Sequence, residues 1–195
     1  ILEHDHKYIV DRNPANYKDF KVPSHRIINR QFYASAQNIF AQSKIHADVI
    51  AQNLNITNVV NLGMNLWSDE QITILKKYSS TEKNGKAAVI NSSNVIKNTA
   101  GAVEFCREKE MEYDLIGSPD YEEFIQQLAA YEKLVFFPRV LESFNRVVLE
   151  ARMLNCKLLT NSWNGCTSED WFKEYKGAAL IDFVEAEREK VFNKI

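Results

Sequence analysis

Seven consecutive segments between positions 86 and 162 decide the architecture: KAAVINSS (86–93), NTAGAVEFCREKE (98–110), EYDLIGS (112–118), YEEFIQQLAAYE (121–132), KLVFFP (133–138), SFNRVVLEARMLN (143–155) and CKLLTNS (156–162). Short apolar runs alternate with amphipathic segments whose apolar residues recur at helical spacing. A strand buried on both faces reads as a continuous apolar run. Joining such strands through helices predicts a parallel sheet covered on both sides. Right-handed crossovers then make an α/β, Rossmann-like layer. Ligands of such sheets bind in the crevice beyond the carboxyl ends of the strands. The residues just after VINSS, LIG, VFFP and LLTNS therefore line the expected site.

Upstream the pattern is shorter. RNPANYKDFKVP (12–23) carries two prolines and few apolar residues and reads as a surface loop. NIFAQS (38–43) reads as a strand, KIHADVIAQNLN (44–55) as a helix and NVVNLG (58–63) as a second strand. Positions 64–85 turn polar and irregular, with STEKNGK (80–86) loop-like, and this marks the junction between a first unit, 1–66, and a second, 67–195. The tail FVEAEREKVFNKI (183–195) reads as a terminal helix. The opening ILEHD reads as the end of a strand with no fold before it, which points to a processing site or a break in a larger protein.

Composition excludes several classes. A net charge of −2 offers no basic footprint for DNA or RNA, so no nucleic-acid partner is expected. The three cysteines, Cys106, Cys156 and Cys166, are widely spaced and form no C-x-x-C pair, which predicts apolar fillers in a reducing compartment. No apolar run is long enough for a membrane span, and no signal-peptide pattern is read. The four histidines are scattered and no Asp-x-Asp occurs, so no metal site is expected.

FFPRVLESFNRVVLEA (136–151) carries the chemistry. Pro138 ends a strand and Ser143 is a good N-cap for the helix behind it. That cap predicts free first-turn N–H groups at Phe144, Asn145 and Arg146. Together with the helix dipole they attract phosphate. The guanidinium of Arg146 adds a bidentate anion ligand. Glu142 and Glu150 flank the turn. They suit sugar and ribose hydroxyls, or they are a loop acid and a solvated helix acid placed for dipole reasons.

FFPRVLESFNRVVLEARMLNCKLLTNSWNGCTSE (136–169) resembles the signature of group-1 retaining glycosyltransferases of GT-B fold. That signature has a strand ending in Pro-Ser, a Glu-x-Phe-Gly turn, and a Glu-Ala pair after seven intervening residues. A second strand and a Gly-Gly-x-x-Glu-like loop follow. Glu142 and Glu150 occupy the two glutamate positions, Ala151 follows the second, and Gly165 and Glu169 match the later loop. IFAQSKIHADVIAQNLNITNVVNLGMN (39–65) is similar to the connection out of the family's acceptor domain. VINSSNVIKNT (89–99) is similar to the first strand and loop of its donor domain, with Lys97 at the lysine.

The resemblance implies a nucleoside-diphosphate sugar as donor, a glycan or lipid-linked acceptor and no cofactor. It implies that 1–66 is the remainder of an acceptor domain, its front portion missing, and that 67–195 is the donor domain. Glu150 would hold ribose hydroxyls and Glu142 the transferred sugar. The turn Ser143, Phe144 and Asn145 would hold the diphosphate and Lys97 its charge. His4, or in competition His6, would be the family's histidine near the sugar. A cytoplasmic location with peripheral association at the inner face of a membrane is also implied.

Three departures stand out. The family's arginine five residues before the lysine is Ser92, which points to Arg146 as its replacement. Its glycine after the motif phenylalanine is Asn145, and the donor domain is one strand–helix unit short. The rival readings are a nucleotide-sugar-binding module without chemistry and an epimerase of GT-B architecture. No G-x-G-x-x-G supports a dehydrogenase.

Overall fold

The computed structural model describes residues 1–195. In chain order the elements are α1 (Arg30–Ala34), β1 (Ile39–Ala41), α2 (Lys44–Leu54), β2 (Val59–Asn61), α3 (Asp69–Tyr78), β3 (Ala87–Ile90), α4 (Thr99–Glu108), β4 (Tyr113–Ile116), α5 (Tyr121–Ala129), β5 (Lys133–Phe136), α6 (Arg146–Met153), β6 (Lys157–Thr160) and α7 (Gly177–Phe192). All strand pairs are parallel, β1 with β2 in one sheet and β4-β3-β5-β6 in the other. The expected α/β, Rossmann-like organisation is present. No helix is long and apolar enough to cross a membrane.

Period two along the strands sorts their side chains. Ala88, Leu134 and Phe136 point into a cluster of 26 buried residues that also takes the apolar stripes of α3, α5, α6 and α7. Ala87, Val89 and Val135 point the other way, against Ala102 and Cys106 of α4. The central strands β3 and β5 are apolar because both of their faces are covered, whereas the edge strands β4 and β6 carry Asp114, the exposed Leu115 and Lys157. A third cluster, centred on Tyr8, Ile39 and Ile50, lies under α2. Phe40 and Leu62 of the first unit belong to the large cluster, so the two sheets share core packing.

Three elements differ from expectation. Positions 69–78, within the stretch read as irregular, form α3. Ser68 and Gln71 make a reciprocal capping box, and Ile72 and Leu75 bury its inner face. α6 begins at Arg146, not after Ser143. Asn145 is the cap, its side chain accepting from Val148 N at 3.1 Å with φ at 69°. α7 starts at Gly177, six positions before the stretch read as helix.

The displaced cap has a physical cause, since Ser143 is committed to the joint between the two units. Its Oγ donates to Gln42 Oε1 and its carbonyl accepts from Ser43 Oγ, both at 2.6 Å. Lys44 N donates to Glu169 Oε1 at 2.6 Å and Ile45 N to Ser168 Oγ at 3.1 Å. Gly165 sits in the middle of this contact. A Cβ there would collide with the Ser143 carbonyl and stand 2.5 Å from Ser43 Oγ, so glycine is required by space.

Candidate functional site

The chain leaves β3 toward β4 on one side of the sheet and, after β5, continues to β6 on the other. The order therefore reverses between β3 and β5, and the crevice beyond their carboxyl ends is the default ligand position. A cavity of about 460 Å³ lies there, within the range of small-molecule sites. Its polar lining comes from Asn91, Ser92, Lys97, Gly117, Ser118 and Asn145, and the rings of Phe124 and Phe136 form apolar wall.

Lys97 is presented by a single 3-10 turn, Val95–Lys97, which Asn94 caps by accepting from Ile96 N at 3.1 Å. Asn98 then takes a left-handed conformation and its amide donates to Phe137 O at 2.9 Å, tying the loop to the strand end. The ammonium of Lys97 meets Glu142 Oε1 at 2.8 Å. Glu142 is fixed from behind, because its N–H donates to Trp163 O and its carbonyl accepts from Gly165 N, both at 2.9 Å. The pair is half-buried, with side-chain exposures of 33% and 15%. On its far side a second cavity of about 420 Å³ is lined by Asp5, Arg12, Asn94, Val140, Lys97 and Glu142. Lys97 borders both cavities.

The remaining residues expected at the site are dispersed. Asn145 reaches the first cavity, and its left-handed backbone turns the chain into α6. Ser143, Gly165 and Glu169 lie at the joint instead. Phe144 is buried in the large core, with its ring 6.4 Å from Trp67.

Glu150 is enclosed rather than presented to a ligand. It is 3% exposed, and its Oε1 accepts from Trp67 Nε1 at 2.9 Å and from Tyr121 OH at 3.1 Å. Arg146 completes the enclosure, 3.5 Å from the same oxygen. Its guanidinium also stands 4.8 Å over the Trp67 ring and donates to Gln71 at 3.0 Å, so it faces α3 and does not line the cavity. Burial pushes the Glu150 carboxyl upward, against the lowering pull of Trp67 and Arg146. Trp67 and Tyr121 lie 83 and 29 positions away along the chain. The only local hint of this enclosure is the placement of Trp67 directly before the capping box.

His4 is half-buried and lines neither cavity, whereas its neighbour Asp5 lines the second. His6 and His46 are fully buried, with ring centroids 4.7 Å apart. His6 Nδ1 meets Tyr8 OH at 3.1 Å, and His46 Nδ1 accepts from Gln42 N at 3.2 Å. Burial holds His6 well below the ordinary imidazole range and pushes His46 down to about 3, with His4 adding to the latter. Both rings are therefore neutral near pH 7.

Asp5, Arg12 and Asn94 carried no sequence signal. Only the fold brings the N-terminal segment against the loop after β3. No group of three or more His, Cys, Asp or Glu side chains is arranged to hold a metal ion. No family model matches the chain, and no curated protein or solved structure matches it significantly.

Proposed function

We propose that the chain is the donor-binding part, with a portion of the acceptor side, of a retaining GT-B glycosyltransferase that uses a nucleoside-diphosphate sugar. The observation carrying this reading is the Lys97–Glu142 pair, which stands at the topological switch point between one cavity and another. An incoming diphosphate competes with Glu142 for Lys97. As Lys97 turns to the phosphate oxygens, Glu142 is released to accept hydrogen bonds from sugar hydroxyls. Lys97 exchanges one anionic partner for another, and the Glu142 carboxylate exchanges its ion pair for hydroxyl donors of the sugar.

The first-turn N–H groups of Arg146 and Val147 add anion-binding partial charge, while that of Val148 is already held by Asn145. Rate enhancement comes from stabilising the departing diphosphate and a positively charged sugar, with electrostatics fixed in advance. The acceptor, a glycan or lipid-linked sugar, enters through the second cavity, and peripheral attachment at the inner face of a membrane accords with the lipid-linked case. Glu150 acts here as a buried strut, held through Oε1 by Trp67, Tyr121 and Arg146, in place of the ribose contact that the family resemblance implies.

Calorimetry with nucleoside diphosphates and the matching nucleosides tests the reading. Lys97→Ala should weaken diphosphate binding by about tenfold or more, the worth of one charge-assisted contact, and leave nucleoside binding in place. Absence of binding by every common nucleoside diphosphate at millimolar concentration would refute it. A second reading, a binding module without chemistry, is favoured by the enclosed Glu150 and by Ser92 at the family's arginine position. Binding of nucleotide sugars without hydrolysis or transfer to any acceptor would select it.

A further inference from the structure

Only the N-terminal end of α6 faces the donor cavity. Behind its C-terminal end a cavity of about 530 Å³ lies between α6, the outer edge of β6 and the start of α7. Arg152, Lys157 and Lys176 line it and no carboxylate does, in a chain whose net charge is −2. None of the protein's ion pairs includes any of these three cations. Arg152 is held in place by donating from Nε to Tyr175 O at 2.7 Å and from Nη2 to Lys173 O at 3.2 Å, and by lying 4.8 Å over the Phe172 ring. Its other terminal nitrogen is left for a ligand.

The sheet edge supplies further donors. Lys157 N donates to Glu132 O at 2.8 Å, so Lys157 faces β5. Alternate residues of a parallel strand face opposite sides, which turns the N–H groups of Leu158 and Thr160 to the open edge. Both residues line the cavity, and a sheet edge with free amides is an anion-binding concavity. The wall is rigid, since Asn155 donates to Ser79 O at 3.2 Å and a Cβ on Gly177 would stand 2.5 Å from Asn155 Oδ1. The Thr160 and Thr167 hydroxyls are committed as donors to Phe136 O and Asn164 O. Glu132 acts electrostatically on Cys156 at the inner end, secondary there to Lys83.

We infer that this cavity is a binding site for a compact multivalent oxyanion, a phosphorylated or polycarboxylated small molecule, separate from the donor cavity. The terminal carbonyls of α6 repel an anion, so the ligand is held by side chains and by the strand edge. An added peptide strand is disfavoured, because β6 has four residues and opens with a lysine, the usual guard of an edge.

The test is a titration of the isotope-labelled full chain with inorganic pyrophosphate and with citrate, read residue by residue. Saturable shifts of the Leu158, Thr160 and Lys176 amides are expected, and which anion produces them assigns phosphate or carboxylate chemistry. The double variant Lys157→Met/Lys176→Met should weaken this event about tenfold or more through two lost charge-assisted contacts, while Lys97→Met leaves it in place. A separate pyrophosphate event around Lys97 reports the donor cavity, so the two readings stand or fall independently. Unchanged affinity in the double variant, shifts confined to the Lys97 side, or non-saturating shifts would overturn the inference. So would capture of a glutamate-rich peptide at the β6 edge with no effect of either anion.

Discussion

Acidification should unfold the protein through His46. The folded chain refuses a proton on this ring until about pH 3, whereas the ordinary imidazole takes one at 6.5. Between those values the unfolded state binds more protons, so stability is complete above about 6.5 and is lost as pH falls. At ~1.4 kcal/mol per pH unit below the unfolded value, moving from about pH 7.5 to about pH 5 removes ~2 kcal/mol. The native ring is still neutral at pH 5, so this figure is set by the unfolded value alone. With a urea dependence of ~2 kcal/mol per molar, the midpoint falls by ~1 M. His6 shifts in the same direction and adds to the loss. Asp11 and Glu122, held low, also lose stability in acid, while Glu150, held high, opposes it. His46→Gln keeps an acceptor for Gln42 N and does not titrate. Urea unfolding followed by tryptophan fluorescence at both pH values, in the parent and the variant, isolates the ring. The gap between the two midpoints should shrink by ~1 M in the variant. An identical gap would show that His46 is not buried neutral.

Three further outcomes follow from the geometry. Gly165→Ala drives a methyl into the Ser143 carbonyl and should destabilise by about 2–3 kcal/mol, an overpacking effect; a urea midpoint equal to the parent's would refute the required close approach. Trp67→Phe removes one donor from the enclosed Glu150 carboxylate and should lower stability by about 2 kcal/mol, and an undiminished midpoint would mean the carboxylate is satisfied by water. Asn145→Ala loses the α6 cap and strains a left-handed residue, so about 2 kcal/mol is expected. Asn145→Gly should recover part of that loss, and equal stability of the two variants would refute the strain argument.

The central strands of the larger sheet were legible because burial on both faces leaves an apolar run, as in AAVI at 87–90 and LVF at 134–136. Their carboxyl ends locate the cavity, where Lys97 and Glu142, two positions of the family resemblance, lie in contact, while Gly165, expected beside them, lies at the joint. The cap of α6 was misplaced because Ser143 and Asn145 are equally good caps locally. The choice falls to the joint, where Ser143 has partners about 100 positions away. α3 was missed because only Ile72 and Leu75 are buried in it, too sparse a stripe against its polar residues. The burial of Glu150 was not legible for a related reason: nothing near it in the chain reports the indole and phenol that enclose it. Asp5 and Arg12 were invisible because a cavity between two units has no periodicity.

The joint also determines how the two sheets move. Its bonds run through serine hydroxyls, a glycine and a backbone N–H directed at a carboxylate, groups with short reach and almost no torsional slack. Such contacts either hold at full strength or break together, so the cleft is not a soft hinge that widens by degrees. The Lys44 amide should therefore exchange its hydrogen only when the whole chain opens, at the free energy of global unfolding, while the Val95–Lys97 turn exchanges far faster. The span of the cleft is therefore expected to change only when this joint opens.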